Sequence, residues 1–200
     1  MSEQEYQHPG ASMSYVRTFL PWIVFAVLPS AQWQWSALAG LLAAVAVIVQ
    51  QRRAGAGFDA LIMEIGSAVF FAALAAIAWA DPHSAVHAYS GALSSATLAL
   101  ISGASLLVRK PFTLGIAKRT TPREVWSLKP FIRINVVITA SWTAAFAVTA
   151  GALAALAHAG HGHSMGATLV QVAGFAVPML FTVRYVAAAR AAAEVEAGTR

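Results

Sequence analysis

Apolar residues fall into blocks about the length of a membrane-crossing helix, and the stretches between them carry Pro, Gly, His or basic residues. Hydropathy and turn signals together predict spans at about 15–30, 34–50, 58–80, 85–108, 131–157 and 167–188. The first is the shortest, running apolar only from Phe19 to Leu28 and interrupted by Pro21 and Pro29, which suggests a tilted or kinked helix paired with the second. At about 20 residues per span, six spans use roughly 120 residues and leave no room for a soluble catalytic domain. The expected fold is an all-α, six-helix polytopic membrane bundle over residues 15–188, with tails at 1–14 and 189–200.

Charge fixes the orientation. The chain has 200 residues, 58% hydrophobic and 10% charged, too little charge to cover a water-facing surface. All 13 Lys and Arg residues fall on one side of the six-span reading. They are Arg17, Arg52, Arg53, Arg109, Lys110, Lys118, Arg119, Arg123, Lys129, Arg133, Arg184, Arg190 and Arg200. By the positive-inside rule that side is cytoplasmic, so both ends are expected inside a bacterial inner membrane. The opposite loops, 30–34, 81–84 and 158–166, carry no Lys or Arg, and Trp33, Trp35 and Trp79 sit where an outer aromatic belt belongs. The net charge of +5 is spread over several loops of one face, which fits membrane topology and not a nucleic-acid footprint. Cysteine is absent, so disulfides, thiolate metal sites and a Cys nucleophile are excluded. The segment before Ser14 carries Glu3 and Glu5 without a basic n-region and reads as a cytoplasmic tail, not a signal peptide.

The stretch from Arg109 to Pro130 is the only loop with space for structure of its own. Thr121-Pro122-Arg123-Glu124 matches a capping box, with Thr121 as N-cap and Glu124 reaching back, and predicts a short helix through Val125 and Trp126. With Phe112, Leu114 and Ile116 before it, the segment suits an anionic leaflet surface. Six spans divide into two halves of three, as in inverted-repeat transporters, but the halves share no sequence similarity. Gly91, Ser95 and Gly103 along span four permit close helix packing.

Glu64 is the intramembrane side chain that most needs an explanation. Five residues beyond Asp59, it would lie about 7.5 Å deeper along a helix axis. An acid at mid-span costs roughly 2.5–3.5 kcal/mol, so a partner or water access is expected. Arg133 and Asn135 enter span five from the same side, and a Glu64–Arg133 pair helped by Asn135, holding spans three and five together, is the expected arrangement. A proton or cation relay through Glu64 is the functional alternative.

The second constellation is histidine. His83, His87, His158, His161 and His163 occupy two outer loops. With Asp81 as cap and Pro82 opening span four, His83 and His87 would share a helix face, and the loop 158–163 is flexible enough to fold over them. Such imidazoles, with Asp81, form a candidate site for zinc, copper or nickel, although Gly-His-rich loops also serve as solvated, pH-sensitive linkers and no cofactor is required. Gln171 and Pro178 in span six suggest a kink with a hydrogen-bonding side chain. Ser94, Ser95, Ser102 and Ser105 are expected to bond back to helix carbonyls or across to neighbours. No G-x-S-x-G, P-loop, paired-aspartate or H-E-x-x-H pattern is present, which argues against the common enzyme classes.

Leu20-Pro21-Trp22-Ile23-Val24-Phe25, Lys110-Pro111, Pro122 with Val125-Trp126, and Trp142 with Phe146 resemble the intracellular septation protein A type of bacterial inner-membrane protein. The stretch Arg109 to Thr113 followed by that Pro and Trp is similar more closely to bacterial six-span proteins with Arg-Lys-Pro-Phe-Thr at this point. The likeness covers about residues 20–150 and implies a non-enzymatic role in envelope upkeep or septation, through contacts with membrane proteins of the division or elongation machinery. The outer histidines depart from that pattern. The alternative is a small transporter or channel, with Glu64, Gln171 and Pro178 on its path and the histidines as a metal-capture site. The bilayer is the partner common to both readings, and a homo-oligomer remains open.

Overall fold

A computed structural model describes residues 10–28, 32–55, 57, 61–118 and 121–198. The expected tail before residue 10, Pro29, Ser30, Asp59, Arg119 and Arg200 lie outside the described residues. The described chain is all helical, without a strand. Its α-helices are α1 (Gly10–Val27), α2 (Trp33–Arg53), α3 (Ile62–Ala80), α4 (Ser90–Leu107), α5 (Phe112–Ala117), α6 (Lys129–His158) and α7 (Met165–Gly198). Of these, α2, α3, α4, α6 and α7 make five helices long and apolar enough to cross a membrane, and Arg17–Val27 of α1 adds a shorter apolar one. The protein therefore has the build of a multi-pass helical membrane bundle.

The distribution of side chains matches lipid, not water, as the surrounding medium. α4 buries Ser90, Ser94, Ser95, Ser102 and Ser105 and exposes Leu93, Leu100 and Leu107, while α7 exposes Leu169, Val172, Val177, Leu180 and Val183. Small and hydroxylated residues inside let backbones approach and hydrogen-bond, and large apolar residues outside meet acyl chains. In water the same arrangement would bare a continuous apolar surface.

Neighbouring helices run α1–α2–α3–α4–α6–α7, with α5 tucked against α6 and α1. α1 and α7 approach each other across an apolar cleft of about 400 Å³ lined by Phe19, Trp22, Ile23, Phe175 and Met179 among others. Aromatic rings fill the centre. Phe19 stacks on Trp142 with centroids 4.9 Å apart and meets Phe112, Phe146 and Phe175 edge-on. A second group, Trp22, Phe25, Phe70 and Phe71, joins α1 to α3.

Two buried indoles, those of Trp22 and Trp142, are each anchored by a hydroxyl that is itself bonded to its own helix. Trp22 Nε1 donates to Ser67 Oγ at 2.8 Å, and Ser67 donates to the Met63 carbonyl. Trp142 Nε1 donates to Thr182 Oγ1 at 3.0 Å, and Thr182 donates to the Pro178 carbonyl. Ser102 donates to the Leu98 carbonyl and accepts from Thr143, joining α4 to α6. The expected behaviour of the span-four serines thus holds for Ser95, Ser102 and Ser105, whereas Ser94 Oγ is buried without a hydrogen-bond partner among the described residues.

The connections depart from expectation in two places. Asp81 and Pro82 do not open α4: Asp81 Oδ1 accepts from the His83 amide in a local turn, Ser84 caps a 3-10 turn over Ala85–Tyr89, and α4 proper begins at Ser90. Nor do Thr121 and Glu124 form a capping box. Thr121 Oγ1 donates back to the Ala117 carbonyl, so only a single 3-10 turn, Arg123–Val125, follows, with no side-chain cap. α5 also turns its apolar side inward: Phe112 and Ile116 are buried, and Thr113 Oγ1 bonds the Asn135 carbonyl and Thr139. The segment docks on protein through this face, and not on the leaflet through it.

Glycines along the helices separate space that is needed from space that is not. A Cβ on Gly40 would lie 2.8 Å from the buried Phe71 ring, which Trp22, Phe25 and Phe70 hold in place, whereas Gly151 on α6 has nothing within 4 Å. Gly151→Ala should therefore stabilise by up to about 1 kcal/mol through helix propensity. Gly40→Ala should reverse the sign and cost about 1–3 kcal/mol through overpacking. Thermal midpoints in detergent check this, and equal shifts for the two would contradict the packing described.

Candidate functional site

The helices alternate in direction, so the bundle has a basic end and a histidine end. At the basic end a cavity of about 590 Å³ opens between α1, the end of α2, the start of α3 and α5. Its polar floor is Glu64, in the first turn of α3, with Gln51 from α2 and Thr18 from α1. Glu64 is 1% exposed. Gln51 Nε2 donates to Glu64 Oε1 at 2.7 Å and Thr18 Oγ1 donates to the same oxygen at 3.3 Å. A carboxylate in the first turn also meets the positive end of the helix dipole. Burial is thus compensated by directed donors and by a helix terminus, the combination that makes a buried carboxylate tolerable.

Around this floor the wall is basic. Arg17, Arg109, Lys110 and Lys118 line the cavity, together with Gly55, Gly57, Gly115 and Trp126. Trp126 is fixed by its Nε1 donating to the Thr121 carbonyl at 3.0 Å, and Lys118 Nζ lies 5.1 Å from its ring centroid. Such a cation over an indole face keeps its charge at the cavity edge.

The expected Glu64–Arg133 pair is not formed. Arg133 is exposed on α6, while Asn135 is buried and donates to the Phe131 carbonyl. Two residues apart on a helix, the side chains point to nearly opposite sides, so both could not face Glu64. Gln51 and Thr18 take the place assigned to them. α2 and α3 form a tight hairpin, so Gln51 returns to the depth of Glu64, and that geometry was present in the short connection between them. The depth itself is less than expected, because α3 as described begins at Ile62.

At the histidine end, the loop after α6 does fold onto the segment before α4. A Cβ on Gly162 would collide with the Ala88 carbonyl, and His163 packs on His87 with ring centroids 4.4 Å apart. His87 also stacks on Trp33 at 5.1 Å, and Trp33 Nε1 donates to the Pro82 carbonyl. His83 precedes the helical turn and is exposed, so it does not share a helix face with His87. His158 ends α6, and His161 Nδ1 lies 2.6 Å from the Ala159 carbonyl. Among the described residues no three His, Asp or Glu side chains converge on one point as a metal ion requires.

Gln171 and Pro178 lie on α7, away from Glu64. Gln171 Nε2 reaches Ser95 Oγ at 3.4 Å, and Pro178 is buried inside the continuous helix. Trp35 and Trp79 are exposed and meet edge-to-face at 5.0 Å, consistent with a belt position.

No family model, curated protein or solved structure matches this chain. Its class, a multi-pass helical membrane protein, rests on the helices themselves.

Gln51→Leu removes a 2.7 Å donor to Glu64 and should lower stability by about 2–3 kcal/mol, the scale of a hydrogen bond to a buried charge. Arg133→Gln should change it by less than about 0.5 kcal/mol, as for an exposed residue outside any network. Thermal unfolding in one detergent compares them, and a loss for Arg133→Gln matching that of Gln51→Leu would restore the original pairing.

Proposed function

We propose that the protein is a bacterial inner-membrane protein with six spans and both ends in the cytoplasm. It acts as a binding and interaction protein of the cell envelope, without covalent chemistry of its own. The cavity floored by Glu64 is its working site and faces the cytoplasm. The resemblance to septation proteins points to the division or elongation machinery as the setting.

The observation that favours binding over conduction is the aromatic centre. A transport path would join the Glu64 cavity to the cleft beside Gln171, and the edge-to-face rings of Phe112 and Phe19 stand between them, with Trp142 and Phe175 behind. The cavity is thus open at the basic end and stopped by packed rings, the form of a receptor site. The proposed orientation places the histidine loops outside.

Two measurements test this reading. The absence of cysteine makes single introduced thiols unambiguous: Ala159→Cys should react with an impermeant maleimide in intact cells, and Ala54→Cys only after permeabilisation. The reverse pattern would invert the topology. A fluorophore fused to the C-terminus should enrich at the septum, with a division or width defect in cells lacking the protein. Uniform membrane signal with normal shape, together with solute flux in proteoliposomes, would establish the transporter instead.

A further inference from the structure

The cavity at the basic end carries a feature that topology alone does not explain. Positive-inside bias needs basic residues on the cytoplasmic face but does not need them around one hole, nor at conformationally costly positions. Yet four cations from three parts of the chain, Arg17 on α1, Arg109 and Lys110 after α4, and Lys118 after α5, line the same cavity, whose one acidic lining residue among the described residues is Glu64.

Arg109 is the telling member. α4 ends in a Schellman motif: the Arg109 amide donates to the Leu106 carbonyl and the Lys110 amide to the Ser105 carbonyl, which puts Arg109 at φ 57°. The same left-handed position after α2 and after α6 is filled by Gly55 at φ 82° and Gly160 at φ 79°. Glycine is the residue that takes this conformation without steric cost, and the chain uses it at both of those caps. The cap after α4 lines the cavity, as Gly55 also does, yet it keeps an arginine, the one non-glycine residue at positive φ among the described residues. A strained backbone that retains a functional side chain is a signature of a binding site.

Resting on the cavity as the working site, we infer that its ligand is a phosphate ester. The cations hold the phosphate, arginine through paired N–H donors and the lysines as point charges, while the Glu64 carboxylate, oriented by Gln51 and Thr18, accepts from a hydroxyl or ammonium on the esterified group. An excess of positive charge over a single recessed acceptor fits an anion carrying one donor and not a bare cation. The volume of about 590 Å³ lies within the range of small-ligand sites. The phosphate can belong to a phospholipid headgroup from the adjoining leaflet or to a soluble ester, and the chemistry of recognition is the same.

The test uses the full-length protein in detergent, with phosphatidylglycerol and glycerol 3-phosphate as probes and diacylglycerol and glycerol as phosphate-free controls. Thermal midpoint shifts give the affinities. Stabilisation by phosphatidylglycerol alone supports the inference with a lipid headgroup as source, and stabilisation by glycerol 3-phosphate alone supports it with a soluble ester. Arg109→Gly removes the cation while relaxing the cap, so it should fold at least as stably as the parent yet bind the active probe at least about tenfold more weakly, the effect of losing one charged hydrogen bond. The exposed pair Arg17→Gln with Lys110→Gln should do the same, and Arg190→Gln, outside the cavity, should not. If neither phosphate compound stabilises more than its control, or if Arg109→Gly binds like the parent, the inference is overturned. Either result leaves the cellular localisation test of the interaction role standing on its own.

Discussion

The bundle depends on one constraint: a polar group buried in lipid-facing helices has no water to turn to, so each must be satisfied by the protein. Apart from Ser94, left without a partner among the described residues, the helices of the centre meet this with a repeated device. A Ser or Thr gives its proton to a carbonyl of its own helix and offers its lone pairs to a donor from the next. Ser67 receives the indole of Trp22, Thr182 that of Trp142, Ser102 the hydroxyl of Thr143, and Ser105 the amide of Phe112. These four contacts tie α1 to α3, α7 to α6, α4 to α6, and α4 to α5. Since lipid offers no hydrophobic drive for helices to associate, such bonds and the close packing of small residues determine which helices meet.

The same device explains why aromatic rings can fill the middle. Trp22 and Trp142 are too large to be buried with an orphaned N–H, and each hydroxyl removes that penalty while fixing the ring's tilt. Fixed indoles then template the rest: Phe19 stacks on Trp142, and Phe71 leans on Trp22. With the centre closed, the polar side chains that remain are pushed to the ends. Glu64, Gln51 and Thr18 collect at the basic end, and Ser84, His87 and His163 at the other.

Much of this was legible because membrane topology is written in one dimension. Blocks of apolar residues and the one-sided cations anticipate each long helix, and Gly91, Gly103 and the span-four serines do mark the packing face of α4, where Gly91 meets Leu153 and Gln171 and Gly103 meets Thr143. What was not legible needed a third dimension. Gln51 lies just past the predicted end of the second span at residue 50 and drew no reading, and only the α2–α3 hairpin makes it the partner of Glu64. Arg133 was chosen for its depth, which hydropathy reports, and missed for its angle around α6, which Asn135 occupies on the buried side. Thr121-Pro122-Arg123-Glu124 matched a local motif, yet a bond to the preceding turn at Ala117 took the hydroxyl that would have capped it.

Glu64 brings these strands together. As one half of an ion pair it would cement two helices and could be replaced by a well-packed apolar pair, because a buried pair rarely repays its desolvation. With Arg133 it forms no such pair; Gln51 and Thr18 donate to it at a helix start, beside a cavity whose cations line the wall. Gln51 and Thr18 orient the carboxylate, and the cations of the wall are spread over three segments. A site that keeps a carboxylate recessed and cations around its mouth preserves both for something that enters between them, and the arginine held at a glycine position is the clearest trace of that requirement in the fold.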